Sequence, residues 1–244
     1  MRTSENAGAV DAGQGFPQRK RDMARSVVLA GSRRCERCEL SPRWCVCAGI
    51  EAVECRLQVD VLMHHREQWR PTSTGRLINR VVPGSRGHVY QHDIPLRPAE
   101  IMRPGKTLWI LHPLGEPIAV VPPPGELQVL LLDGSWGESA AMMKTVETWG
   151  RRISLPMSGE SRYWLRAQQG TGLFSTVEAL IFLLGAVGLT EERRRLQLQF
   201  ELHVYAGLRM RGKKAAAEEF LAASPVREAM PELLAALAVR RPRV

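Results

Sequence analysis

The segment Leu127-Gln-Val-Leu-Leu-Leu132 constrains the fold more than any other stretch, because a strand with a single polar position must be covered on both faces. Strands of that kind occur where helices pack above and below a parallel sheet. Three further apolar runs of strand length, Leu57 to Met63, Thr107 to Leu111 and Ile118 to Val121, are separated by loops bearing Pro and Gly. Helical patterns lie between and after them, over Thr74 to Val82, Gly137 to Trp149, Thr176 to Val187, Glu191 to Met210, Lys213 to Ala223 and Val226 to Val239. Strands alternating with helices predict an α/β fold with a mostly parallel sheet, followed by a helical C-terminal region. With 244 residues, 44% hydrophobic and 24% charged, the chain can bury a sizeable core and is too apolar for wholesale disorder.

Character changes along the chain. Residues 1–30 carry Gly, Ser, Gln and Arg without apolar periodicity and read as a disordered basic tail. Residues 31–55 hold all five cysteines, 56–190 hold the alternating strands and helices, and 191–244 form a helical extension. That extension mixes Arg and Lys with Leu and Phe, so it is expected to pack one face and present charge on the other, the Arg193 to Arg195 run included. The longest apolar run, Ala179 to Leu189, falls short of the roughly 20 residues that cross a bilayer, and no apolar stretch near Met1 resembles a secretory signal. A cytoplasmic location, with neither a membrane nor an obligate protein partner, is the expectation. Lys and Arg number 34 against 25 Asp and Glu, a formal charge of +9 that favours a polyanionic partner.

The cysteines point to metal. Cys35-x2-Cys38-x6-Cys45-x-Cys47 supplies two close thiol pairs joined by a short loop, an arrangement suited to a tetrahedral ion, zinc first. A closed four-thiolate site leaves no position for a substrate, so the role is structural. Cys55 stands apart and reads as a small buried hydrophobe. Arg33, Arg34, Arg37 and Arg43 make this knuckle basic.

Three strand ends carry polar residues. Asp133-Gly134-Ser135-Trp136 follows the buried strand ending at Leu132 and precedes a helix, on the sheet edge where ligands of open α/β folds bind. Ser135-x-x-Glu138 also fits a helix capping box. The stretch Leu165 to Ala179 repeats the logic, with glycines followed by Ser175-x-x-Glu178 before an apolar helix. The third, Met63-His64-His65-Arg66-Glu67-Gln-Trp69-Arg70 through Ser73-Thr74-Gly75-Arg76-Leu77, leads from a strand through a basic loop into a helix. Adjacent histidines point to opposite sides of a strand, so at most one of His64 and His65 is expected to serve a site. Dinucleotide, P-loop, zincin and nucleophile-elbow motifs are absent.

In their order these blocks resemble the DTW-domain proteins. Asp133-Gly-Ser-Trp136 is similar to the Asp-x-Thr/Ser-Trp signature of that family, and the four-cysteine motif, the His-x2-Glu-type loop running into Ser73-Thr-Gly-Arg-Leu77, and Ser175-Thr-Val-Glu-Ala179 flank it in the family's sequence. The family usually has Asn where this chain has Ser73. The resemblance implies a tRNA-uridine aminocarboxypropyltransferase, which moves the 3-amino-3-carboxypropyl group of S-adenosylmethionine to N3 of a uridine and releases methylthioadenosine. It also implies kinship with SPOUT-class RNA-modifying enzymes and hence a knotted sheet.

Under that resemblance Asp133 is the base or uridine orienter and Trp136 stacks on the target base or, alternatively, packs as a core aromatic. Leu132, Gly134, Ser135, Gly172, Ser175, Thr176 and Glu178 line the cofactor pocket, Glu178 meeting the amino group of the transferred chain. Arg66, Arg70, Arg76 and Arg80 contact tRNA phosphates, and Cys35, Cys38, Cys45 and Cys47 bind zinc. Two competing readings are an S-adenosylmethionine-dependent RNA methyltransferase of the same broad fold and a non-catalytic zinc-knuckle RNA-binding protein.

Overall fold

The computed structural model describes residues 34–166 and 172–239; the expected tail of residues 1–30 lies outside the described residues, as do Arg33 and Gly170. In chain order the elements are β1 (Gln58–His64), α1 (Thr74–Val81), β2 (Arg86–Tyr90), α2 (Pro98–Ile101), β3 (Thr107–Pro117), β4 (Leu127–Asp133), α3 (Trp136–Val146) and β5 (Arg151–Ser154). Five helices follow, α4 (Thr176–Ala186), α5 (Thr190–Met210), α6 (Lys214–Ala222), α7 (Val226–Ala229) and α8 (Pro231–Ala238). The protein is α/β, with one five-stranded sheet in the order β2-β1-β4-β3-β5 and every pairing parallel.

Strand alternation divides the core. Val59, Val61 and Met63 of β1, with Leu127, Val129 and Leu131 of β4, belong to a large core shared with α1, α4 and α5. Leu62, Ile110 and Leu130 point the other way, to Met142, Met143 and Val146 of α3 and to Ile101 of α2. β4 is therefore central and apolar on both sides, as its sequence requires. The amino-terminal edge of the sheet is closed by buried Asp60, which accepts from Arg86 Nε at 2.9 Å and Gln128 Nε2 at 2.9 Å and lies 2.8 Å from His88 Nε2.

Two strands escape the apolar-run criterion. β2 and β5 are short edge strands, Arg-Gly-His-Val-Tyr and Arg-Arg-Ile-Ser, too polar to announce themselves. The expected strand Ile118 to Val121 does not form: β3 extends to Pro117, and the chain then runs as coil into three successive prolines. Within β3 both Leu111 and Glu116 pair with Ile153, so His112 to Gly115 bulge outward. Gly115 is required there, since a Cβ would sit 2.4 Å from the Ile153 carbonyl carbon. The segment Val226 to Val239 is two helices, broken at Met230-Pro231.

α5 also departs from expectation. Every residue from Leu198 to Leu208 is buried, because the helix is wrapped by α4, α6, α7 and the cysteine segment instead of lying on a surface. At its exposed start Arg194 and Arg195 pair with Glu191, while the buried Glu201 pairs with Arg162. Among the described residues no helix is long and apolar enough to cross a membrane.

Candidate active site

β4 delivers Asp133 to the carboxyl edge of the sheet, opposite Met63 of β1, and buries it at 5% exposure. Three helices begin around that edge, each capped by a serine. Ser73 caps α1, its oxygen accepting from the Arg76 amide at 3.2 Å. Ser135 and Ser175 cap α3 and α4, each in a capping box closed by a glutamate, Glu138 and Glu178. Two of these starts grip Asp133: Ser73 Oγ donates to Oδ2 at 2.7 Å, and Thr176 Oγ1 donates to Oδ1 at 2.5 Å. Gly75 permits the approach, because a Cβ there would stand 2.7 Å from Asp133 Oδ2.

These elements enclose a cavity of about 430 Å³, within the roughly 300–1,000 Å³ of small-molecule sites. Its walls come from Glu67 to Thr74, the β3 bulge at Leu111 to Pro113, Leu132 to Trp136, Ile153 to Met157, Tyr163 to Arg166 and Gly172 to Thr176. Its apolar lining includes Leu111, Leu132, Ile153, Leu155 and Met157, and its polar lining the hydroxyls of the helix starts, Ser73, Ser135, Ser175 and Thr176.

Of the expected site residues, Asp133, Trp136, Leu132, Gly134, Ser135, Gly172, Ser175, Thr176 and Arg70 line this cavity together. Trp136 is 56% exposed at the first turn of α3, which corrects the core-aromatic alternative. Glu178 is turned away from the wall. Its carboxylate accepts from Ser161 Oγ, the Arg162 amide at 2.7 Å, and the Ser175 amide and hydroxyl, each at 2.7 Å, so it fastens α4 to the loop before it and has no contact left for a ligand.

The arginines separate into two pairs. Arg70 lines the cavity with its side chain 55% exposed, and Arg66, 69% exposed, lies 4.0 Å from Glu138 of α3. Arg76 and Arg80 are corrected from phosphate contacts to internal ones: both pair with Glu39 of the cysteine turn, Arg80 Nη2 at 2.8 Å from Oε2. The two histidines do not point to opposite sides, although at most one of them serving a site agrees with the structure. β1 ends at His64, the chain turns, and the two imidazole centroids come to 4.3 Å; His64 Nδ1 lies 3.1 Å from Glu138 Oε1, and neither ring lines the cavity.

Two residues of the β1–α1 loop were passed over as candidates. Glu67 is buried in the cavity wall, where desolvation foremost, with the nearby Asp133 charge, pushes its carboxyl up to about 7 against the pull of Arg70. Trp69, two residues on, is 81% exposed. The His-x2-Glu pattern ending at Glu67 was the available signal.

The cysteine turn lies against α1 and α5. The Sγ atoms of Cys35, Cys38, Cys45 and Cys47 lie within 4.8 Å of one another, with Cys35 to Cys47 at 3.4 Å and Cys38 to Cys45 at 3.7 Å. A tetrahedron with zinc–sulfur bonds of about 2.3 Å has edges of about 3.8 Å, so four thiolates at these separations fit the ion and could hold it. Backbone amides led by that of Cys38 lower the Cys35 thiol to about 6, while burial raises those of Cys38 and Cys47. Cys55 is outside the cluster, its thiol pushed up to about 11 by burial.

The family model for the DTW domain matches residues 32–207, from the cysteine turn through the sheet to the buried length of α5. No solved structure matches the chain.

Proposed function

The chain belongs to the DTW-domain family, which supports a tRNA-modifying function at family level, and from that premise we propose that it transfers the 3-amino-3-carboxypropyl group of S-adenosylmethionine to N3 of a tRNA uridine. The observation that carries this reading is Asp133, held on both oxygens by two helix starts in the wall of a cavity lined by both apolar side chains and hydroxyls. S-adenosylmethionine supplies an electrophilic carbon next to a sulfonium leaving group. The protein supplies placement. The apolar wall of Leu111, Leu132 and Ile153 suits an adenine ring, while the amides and hydroxyls at the starts of α3 and α4 suit a carboxylate.

Holding both reactants in one cavity turns a bimolecular displacement into an effectively unimolecular one, the largest contribution such a site can make without covalent chemistry. Asp133 orients the groups around it, and its fixed carboxylate is an acceptor toward a base edge. Trp136, on the wall yet half out of it, offers a face for an unpaired base. Trp69, Arg66 and Arg70, all exposed in the β1–α1 loop, put an aromatic among cations, the combination that suits single-stranded RNA. Zinc in the cysteine turn would be structural, with all four positions taken by thiolates.

The test is nucleoside mass spectrometry of unmodified tRNA incubated with the full chain and S-adenosylmethionine, beside Asp133→Asn and Trp136→Ala. An aminocarboxypropyl-uridine with methylthioadenosine, reduced in both variants, is the expected result. A methylated nucleoside with S-adenosylhomocysteine would overturn it in favour of methyl transfer. Salt-sensitive tRNA binding with no product would overturn it in favour of a binding module.

A further inference from the structure

Among the described residues two carboxylates line the cavity, and their oxygens are differently occupied. Asp133 has a hydroxyl donor on each oxygen, Ser73 on Oδ2 and Thr176 on Oδ1. Glu67 pairs through Oε1 with Arg70, whose side chain is more than half exposed. We infer that, within the transfer proposed above and resting on it, Glu67 accepts the N3 proton of the target uridine, with Asp133 acting as a positioning residue.

The other candidate acceptors on the wall are spent. His112 accepts the Leu114 amide on Nδ1 at 3.1 Å, so its neutral ring carries hydrogen on Nε2 and has no lone pair to offer. Tyr163 donates its hydroxyl to the Thr72 carbonyl and is raised to about 12 by burial, so it is a donor throughout the physiological range. Among the described residues Glu67 Oε2 has no hydrogen-bond donor, whereas both Asp133 oxygens have one. The charged groups facing it are Arg70 in its own turn, Asp133 at the end of β4, Glu138 of α3 and Arg166 after β5. Burial and the two acids outweigh the two arginines, and a carboxyl titrating near 7 is a far stronger base than an ordinary one while still ionised in good part at neutral pH.

The step balances. The N3–H proton passes to a Glu67 oxygen, the N3 electron pair forms the new nitrogen–carbon bond, and the electron pair of the broken carbon–sulfur bond stays on sulfur. Products are a substituted uridine, a neutral thioether and a protonated Glu67, which returns its proton to water.

The experiment uses the full chain with Glu67→Gln and Glu67→Asp. In the free protein, carbon-13 carboxyl resonances of labelled glutamate should include one titrating near 7 that Glu67→Gln removes. With tRNA and S-adenosylmethionine in single turnover, the wild-type rate should climb with pH and level off near 7. Glu67→Gln should be roughly 10²- to 10⁴-fold slower with no plateau, while tRNA binding is unchanged. Glu67→Asp should keep the plateau at a lower rate. If the wild type makes aminocarboxypropyl-uridine and Glu67→Gln keeps its rate and plateau within about threefold, the inference falls and the transfer stands. A Glu67→Asp protein that binds tRNA but has no plateau overturns it too. If the wild type forms no such nucleoside, the product analysis itself shows that both have failed.

Discussion

Ser73 Oγ donates to Asp133 Oδ2 at 2.7 Å while accepting the Arg76 amide at 3.2 Å, so one hydroxyl both caps α1 and clamps the acid at the end of β4. Ser73→Ala removes both bonds and leaves a buried carboxylate oxygen without its donor, a loss of about 1–3 kcal/mol in denaturant unfolding. Ser73→Thr should recover most of it. Gly75→Ala should cost a similar amount for a different reason, since its methyl would meet Asp133 Oδ2 at 2.7 Å and Val61 Cγ1 at 2.9 Å.

Glu67 should destabilise the protein that uses it. Its folded carboxyl titrates near 7 against an ordinary 4.5, so the native state holds its proton more tightly than the unfolded chain. Stability from this group therefore falls as pH rises from about 4.5 to 7, and the full deficit is present above 7. Glu67→Gln should gain about 1–3 kcal/mol at pH 8 and close to nothing at pH 4, measured by urea unfolding at both values. A variant that gains stability as it loses turnover separates this residue from one that merely packs.

The cysteine turn predicts about one zinc per chain by elemental analysis, bound by four thiolates. Cys38→Ser should lower that content and the unfolding midpoint together, because structural metal binding adds directly to folding free energy. Cys55→Ser should leave the zinc content unchanged, being outside the cluster.

Two kinds of arginine should behave differently. Arg66→Ala should weaken tRNA binding and reduce the slope of log affinity against log salt by about 1. Trp69→Ala should weaken binding by about 1–3 kcal/mol with the slope unchanged, as stacking releases no counterions. Arg80→Ala should instead lower stability, because its side chain is 11% exposed and pairs with Glu39. Filter binding from low to moderate salt, beside an unfolding curve, checks all three.

Much of this was legible in the chain. β4 showed through its nearly continuous apolar run, two of the three helix starts through Ser-x-x-Glu spacings, and the metal turn through cysteine spacing. β2 and β5 were hidden because edge strands need little apolar surface, and α5 because burial on all sides comes from neighbours that its own periodicity does not encode. Glu178 matched the expected motif, yet its carboxylate is consumed by Ser161, Arg162 and Ser175, partners that only the folded loop brings to it. Glu67 was missed for the converse reason. Its burial and the proximity of Asp133, both tertiary, are what set it apart from an ordinary loop glutamate.

α1 touches both centres of the molecule. Ser73 at its cap holds Asp133, and Arg76 and Arg80 hold Glu39, which sits in the cysteine turn with φ of +61°. A coupling between two sites is a single free energy shared by both. Any factor that metal in the turn adds to the affinity of a cavity ligand is the factor that ligand adds to the affinity for metal, and the eight residues of α1 are the element in contact with both.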